Sequence, residues 1–134
     1  MNAARVLIVD DDLATLDLTR FVLGRADFVV ESTSDPTHAL LLIRAFQPDL
    51  ILMDIQMPEV DGLELAALLK ADPGMQHIVV VAFTAFAMKG DEARLRAAGF
   101  DGYIAKPFDV ASFAATVRSY VRASGSSAAA PSRR

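Results

Sequence analysis

The sequence predicts an α/β domain, a doubly wound parallel sheet of five strands flanked by five helices, and three observations lead there. Short β-branched runs alternate with helical stretches along the chain, which is the pattern of βαβ units. The runs at 6–9, 50–53 and 78–83 are apolar throughout rather than alternating, as expected of strands covered on both faces at the centre of a sheet. Four runs end on polar residues: Asp10 and Asp11 after 6–9, Asp54 after 50–53, Thr84 after 78–83, and Lys106 after 103–105. In an open parallel sheet the carboxyl ends of the strands share one edge, and ligands bind where the strand order reverses. The five polar residues are therefore expected at one site.

The first strand, 6–9, follows directly on the first five residues. The first helix, 13–25, starts behind Asp12, whose short carboxylate suits a helix N-cap. It stops near Asp27, a residue that adopts the left-handed conformation less readily than glycine, so this boundary is loosely set. The second strand is 28–30. Ser34 before Asp35-Pro36 signals the helix at 36–46, with proline early, where its missing N–H costs nothing. Strand 50–53 and helix 62–71 follow, then strand 78–83 and helix 87–98, which Gly99 ends by turning left-handed. Strand 103–105 and helix 109–123 complete the domain, 1–123. From Ser124 onward the chain is mainly serine and alanine, with Gly125, Pro131, Arg133 and Arg134. It has nothing to bury, and 124–134 is expected to be a disordered tail.

Composition narrows the function. A chain of 134 residues suits one domain, and although 53% are hydrophobic, no run approaches the roughly 18 apolar residues of a membrane span. The first five residues pass directly into the run at 6–9, which is too short and lacks the cleavage pattern of a secretory signal, so a cytoplasmic location is expected, without a membrane partner. There is no cysteine, hence no thiolate metal site or thiol nucleophile. A net charge of −4 with no basic stripe argues against direct binding of nucleic acid.

The acidic residues carry most of the chemistry. Three carboxylates about 5 Å apart repel by roughly 3 kcal/mol per pair at an effective dielectric near 20, on the order of 10 in all. A proton held at raised pKa would offset that, and so would a hard cation. An oxygen-rich, partly open site suits magnesium, which uses one or two carboxylates and keeps several waters. Asp10-Asp11-Asp12 alone would more often cap a helix than bind metal, but capping does not explain Asp54 at the end of another strand. Thr84 alone reads as a strand-end threonine and Lys106 alone as a solvated lysine. Together with the carboxylates they suit a carboxylate nucleophile that accepts a phosphoryl group, whose equatorial oxygens need positive charge and hydrogen-bond donors.

At this point the residues reach a family. Val9-Asp10-Asp11-Asp12, Met53-Asp54-Ile55-Gln56-Met57-Pro58 with Asp61-Gly62, Phe83-Thr84-Ala85, and Gly102-Tyr103-Ile104-Ala105-Lys106-Pro107-Phe108 occur in the order in which they stand in response regulator receivers. From residue 5 to about 123 the sequence resembles the receiver domain of two-component systems, of the CheY-like, flavodoxin-like fold with strand order 2-1-3-4-5. The resemblance implies that Asp54 is the phosphoacceptor, with Asp10 and Asp11 forming the acidic pocket. Asp11, Asp54 and the Gln56 backbone carbonyl would hold Mg2+ beside Asp10, Thr84 and Lys106 would contact the phosphoryl oxygens, and the Lys106-Pro107 bond would be cis. It implies a histidine kinase or histidine phosphotransfer protein as donor and a downstream target protein as receiver of the signal. It is compatible with a monomer or a phosphorylation-dependent dimer, and with either a relay or a terminal output.

A charge of about −1.5 to −2 added at Asp54 favours a Thr84 hydroxyl that moves inward, leaving room for the Tyr103 ring. Phe86, Met88, Tyr103 and Phe108 would then form a partner face on the fourth helix, fifth strand and fifth helix. Any one of the first, second and fourth could equally be core or ordinary surface. Phe86 and Gln56 occupy positions at which the family tunes phosphoryl lifetime. His38 and His77 read as surface or packing residues, and Glu59, Asp61 and Glu64 as solvated charges. A magnesium-dependent phosphohydrolase of the haloacid-dehalogenase type is an alternative, but its general acid would stand where this chain has Gln56. A flavodoxin-like cofactor binder would need hydroxyls and glycine where Asp10-Asp11-Asp12 repel phosphate. A degenerate receiver acting only as a binding module is opposed by the presence of every site residue.

Overall fold

The computed structural model describes residues 3–57, 60–85 and 91–129, with backbone alone at 56–57, 60–61, 91–92 and 123–129. The strands are β1 (Arg5–Val9), β2 (Val29–Thr33), β3 (Leu50–Met53), β4 (Gln56–Met57), β5 (Val60–Asp61), β6 (Val79–Thr84) and β7 (Gly102–Ala105). The α-helices are α1 (Leu13–Arg25), α2 (Ala39–Phe46), α3 (Gly62–Ala71), α4 (Asp91–Ala98) and α5 (Val110–Ala129). Five strands form one parallel sheet in the order β2-β1-β3-β6-β7. Counting only these five, that is the expected 2-1-3-4-5.

The three apolar runs make the centre of the sheet, and neighbouring residues on each strand serve opposite layers. Leu7, Val9, Ile51, Met53, Val80 and Ala82 pack with Ile43, Leu65, Leu69, Leu95 and Phe100 beneath α2, α3 and α4. Val6, Ile8, Leu50, Leu52, Val79, Val81 and Phe83 pack with Leu16, Leu23, Phe113 and Val117 beneath α1 and α5. Each large side chain so buried contributes about 1.5–3 kcal/mol. The edge strands differ in kind: β2 is half-buried along most of its length, and β7 alternates buried with exposed residues.

Local signals set several boundaries. Asp12 caps α1, its carboxylate accepting from the Ala14 N–H at 3.1 Å and from the Thr15 hydroxyl at 2.7 Å. Asp27, at φ +72°, ends the same helix in a paired-bond turn: the Phe28 N–H donates to the Leu23 carbonyl and the Asp27 N–H to that of Gly24, the arrangement that usually selects glycine. Gly99, at φ +110°, ends α4 in the same way, with the Phe100 and Gly99 N–H groups donating to Leu95 and Arg96.

Other boundaries depart from expectation. The second strand runs to Thr33 because pairing with β1 continues to the Val9–Thr33 rung. The stretch after Asp35 opens as a 3-10 turn, Pro36–His38, before α2 begins at Ala39. The β4–β5 hairpin, Gln56 opposite Asp61 and Met57 opposite Val60, had no signal in the apolar pattern. Helix α5 continues to Ala129, past residue 123 where the composition shift placed its end, since propagating an existing helix is far easier than nucleating one. Among the described residues no helix is long and apolar enough to cross a membrane.

Candidate functional site

The chain runs from β1 outward to β2 and then returns to β3 on the other side of β1, so the strand order reverses between β1 and β3. A crevice opens there at the carboxyl ends of the strands. Register brings the site residues to neighbouring levels at the same end of the sheet: Val9 lies opposite Met53, Met53 opposite Ala82, and Thr84 opposite Ala105. The next residues are held by the last backbone bonds of the sheet. The Asp10 N–H donates to the Thr33 carbonyl at 3.2 Å, the Asp54 N–H to that of Val9 at 3.0 Å, and the Lys106 N–H to that of Thr84 at 3.0 Å. Three functional side chains thus leave the sheet from fixed backbone rather than from free loops.

Their side chains converge. One carboxylate oxygen each from Asp10, Asp11 and Asp54 lies within 4.8 Å of the others. The Lys106 ammonium donates to Asp10 Oδ2 at 2.6 Å and approaches Asp54 Oδ2 at 3.4 Å, and the second Asp10 oxygen accepts from the Asp12 N–H at 2.9 Å. Asp10 and Thr84 are fully buried and Asp54 nearly so, whereas Asp11 is exposed at the mouth. Lys106 Nζ also stands 5.1 Å from the Phe83 ring centroid, a neighbour that the sequence suggests only as a core residue preceding Thr84. The Lys106-Pro107 bond is cis, as the resemblance implied.

Burial pushes the Asp10 carboxyl above its ordinary pKa, even though the Lys106 ammonium and the Asp12 N–H pull the other way. Burial alone would lower the pKa of Lys106, but its hydrogen bond to Asp10 and the charges of Asp10 and Asp54 outweigh that and raise it. Ionised, three carboxylates and one ammonium sum to −2. Two buried acids, one exposed acid and a net charge of −2 suit a hard divalent cation that keeps part of its water shell, so the residues present fit magnesium. Asp11 is exposed to solvent, while Lys106, hydrogen-bonded to Asp10 and Asp54, is partly exposed.

Other expected site residues fall elsewhere or outside the description. Phe108 does not share a face with Tyr103. Its half-buried ring stacks on Phe113 at 4.2 Å and packs against Phe83 at 5.7 Å, in the layer under α1 and α5, because three aromatic rings fill that end of the core better than solvent does. Tyr103 is 38% exposed and, one residue from Ile104 of that same layer, projects from the other side of β7. Its backbone carbonyl accepts from the Tyr120 hydroxyl at 3.4 Å. Phe86, Met88 and Glu59 lie outside the described residues, as do the side chains of Gln56 and Asp61. His38 is an exposed partner of Asp35 at 3.5 Å, and His77 and Glu64 are exposed.

Residues 6–118 match the family model described as response regulator receiver domain. The polar-differentiation response regulator DivK of Brucella anthropi is 47% identical over 116 residues, which cover 87% of this chain and 94% of that protein. Two solved structures are each 28% identical to this chain. One is a CheY-like receiver domain protein from Methanospirillum hungatei, with TM-score 0.83 over 94% of this chain and 99% of that one. The other is the receiver domain of a signal transduction histidine kinase from Syntrophus aciditrophicus, with TM-score 0.80 over 90% and 92%.

Proposed function

This chain belongs to the response regulator receiver domain family, and on that premise we propose that Asp54 accepts a phosphoryl group from a histidine kinase or histidine phosphotransfer protein. The carboxylate oxygen of Asp54 attacks phosphorus while the bond from phosphorus to the donor imidazole nitrogen breaks, and the electron pair leaves with the imidazole. The single observation that carries this reading is the convergence of Asp10, Asp11 and Asp54 within 4.8 Å beside the Lys106 ammonium.

Asp11, Asp54 and the Gln56 backbone carbonyl would hold Mg2+, with Asp10 beside them; once bound, the ion neutralises charge on the transferring phosphoryl oxygens. Lys106, already raised in pKa and hydrogen-bonded within the cluster, stays protonated and supplies a fixed ammonium to the same oxygens. Thr84, buried at the end of β6, supplies a hydroxyl. Burial of Asp10 and Asp54 keeps bulk water from one side of the acyl phosphate, and the exposed Asp11 side admits the donor.

The added charge of about −1.5 to −2 draws the Thr84 hydroxyl toward Asp54 and makes room for the exposed Tyr103 ring to move inward. The surface around β7 then reports the state of Asp54 to a downstream target. The domain, with α5 carried past residue 123 to Ala129, works as a cytoplasmic switch, monomeric or paired when phosphorylated, and not as a turnover enzyme. Intact mass spectrometry after incubation with acetyl phosphate tests this. A single adduct that needs Mg2+ and is absent in Asp54→Asn supports the reading. No adduct supports a degenerate receiver, and sustained phosphate release supports a hydrolase.

A further inference from the structure

After Asp54 the chain leaves the sheet, folds into the β4–β5 hairpin and re-enters helix α3 at Gly62. It comes back onto the segment it left. A methyl group on Gly62 would stand 2.8 Å from the Ile55 Cα, 3.0 Å from the Asp54 carbonyl oxygen and 3.5 Å from the Ile55 Cβ. The two nearest atoms are backbone, so no change of rotamer relieves the contact. The φ of Gly62 lies outside the left-handed region, so the position demands space rather than conformational freedom.

We infer that Gly62 is a positioning residue for the phosphoacceptor: its missing side chain lets the returning chain rest directly on the Asp54–Ile55 peptide and so aims both Asp54 and the backbone that follows it. Restoring the 2.8 Å contact to the ordinary 3.4 Å requires a shift of about 0.6 Å. The Asp54 N–H is held by Val9, so the shift falls on the carbonyl side of Asp54 and on the next peptide, which leads to Gln56. Gly24 is a matched control, because a methyl group there meets nothing within 4 Å.

The inference rests on Asp54 being the phosphoacceptor. The test compares the full-length wild type with Gly62→Ala and Gly24→Ala by three measurements: magnesium affinity by titration calorimetry, the initial rate of acetyl phosphate adduct formation at saturating magnesium, and the cooperativity of urea unfolding. The expected result is a folded Gly62→Ala with an adduct rate down about tenfold or more and magnesium bound several-fold more weakly, while Gly24→Ala matches the wild type in both. Wild-type rate and affinity in Gly62→Ala would overturn the inference alone. Loss of cooperative unfolding in Gly62→Ala would also overturn it, by showing that the contact holds the fold rather than aims the site. A wild type that takes no adduct would overturn the reading of Asp54 itself.

Discussion

Replacing Asp54 with asparagine is expected to stabilise the metal-free protein, although it removes the reactive group. An Asp54 oxygen lies within 4.8 Å of an oxygen on Asp10 and of another on Asp11, and 3.4 Å from the Lys106 nitrogen. At an effective dielectric near 20, each carboxylate pair at that distance repels by about 3.5 kcal/mol, and the ammonium attracts by about 5 kcal/mol. Two repulsions exceed the one attraction by about 2 kcal/mol, which Asp54→Asn relieves at nearly constant side-chain volume. Urea unfolding in a chelating buffer measures the gain, expected as a midpoint about 1 M higher than that of the wild type. On the proposed reading, in which Asp54 is a magnesium ligand, magnesium at one hundred times its dissociation constant is expected to stabilise the wild type by about 2.7 kcal/mol and the variant, short of one ligand, by less. The gap therefore narrows or reverses when the metal is added. A variant no more stable than the wild type without magnesium would refute the electrostatic reasoning, and a gap that magnesium leaves untouched would show that the cation relieves some other strain.

Two further outcomes follow from single residues. Asp27→Gly removes a side chain from the left-handed position at φ +72°; the relief less the added freedom of the unfolded chain is a net gain of roughly 0.5–1 kcal/mol, read as a rise of about 3 °C in Tm, and an unchanged Tm would contradict it. Because burial raises the pKa of Asp10, the neutral acid favours the fold below the ordinary carboxylate pKa, and that contribution is lost as pH rises through the raised value. Metal-free wild type is therefore expected to lose ground against Asp10→Asn from about pH 4 upward, and parallel urea midpoints for the two proteins across that range would refute it.

Much of this architecture was legible because its signals are local. Continuous apolar runs identify β1, β3 and β6 since a strand buried on both faces has no polar position to show. Asp12 and Gly99 mark helix ends through the needs of their own backbone. The site residues were legible by position, as the first polar residues after each run, because a parallel sheet sends all those positions to one edge. The same reasoning could not foresee the β4–β5 hairpin: two rungs of pairing need only a pair of residues on each side, too few to impose a period. Nor could it foresee the extra length of β2, which its pairing with β1 decides.

The amino-acid sequence by itself determined which strands lie at the centre of the sheet and which polar residues stand at their carboxyl ends, because hydrophobic periodicity and strand-end polarity are properties of neighbouring residues. Only the tertiary structure decided that Lys106 bonds Asp10 at 2.6 Å and Asp54 at 3.4 Å, and that Phe108 joins the layer of Phe83 and Phe113 while Tyr103 faces the other way. It also decided that Gly62 lies against the peptide following Asp54. Those facts depend on strand register and on how distant segments return to one another, and a difference of half an ångström between groups far apart in the chain leaves no trace in the order of residues.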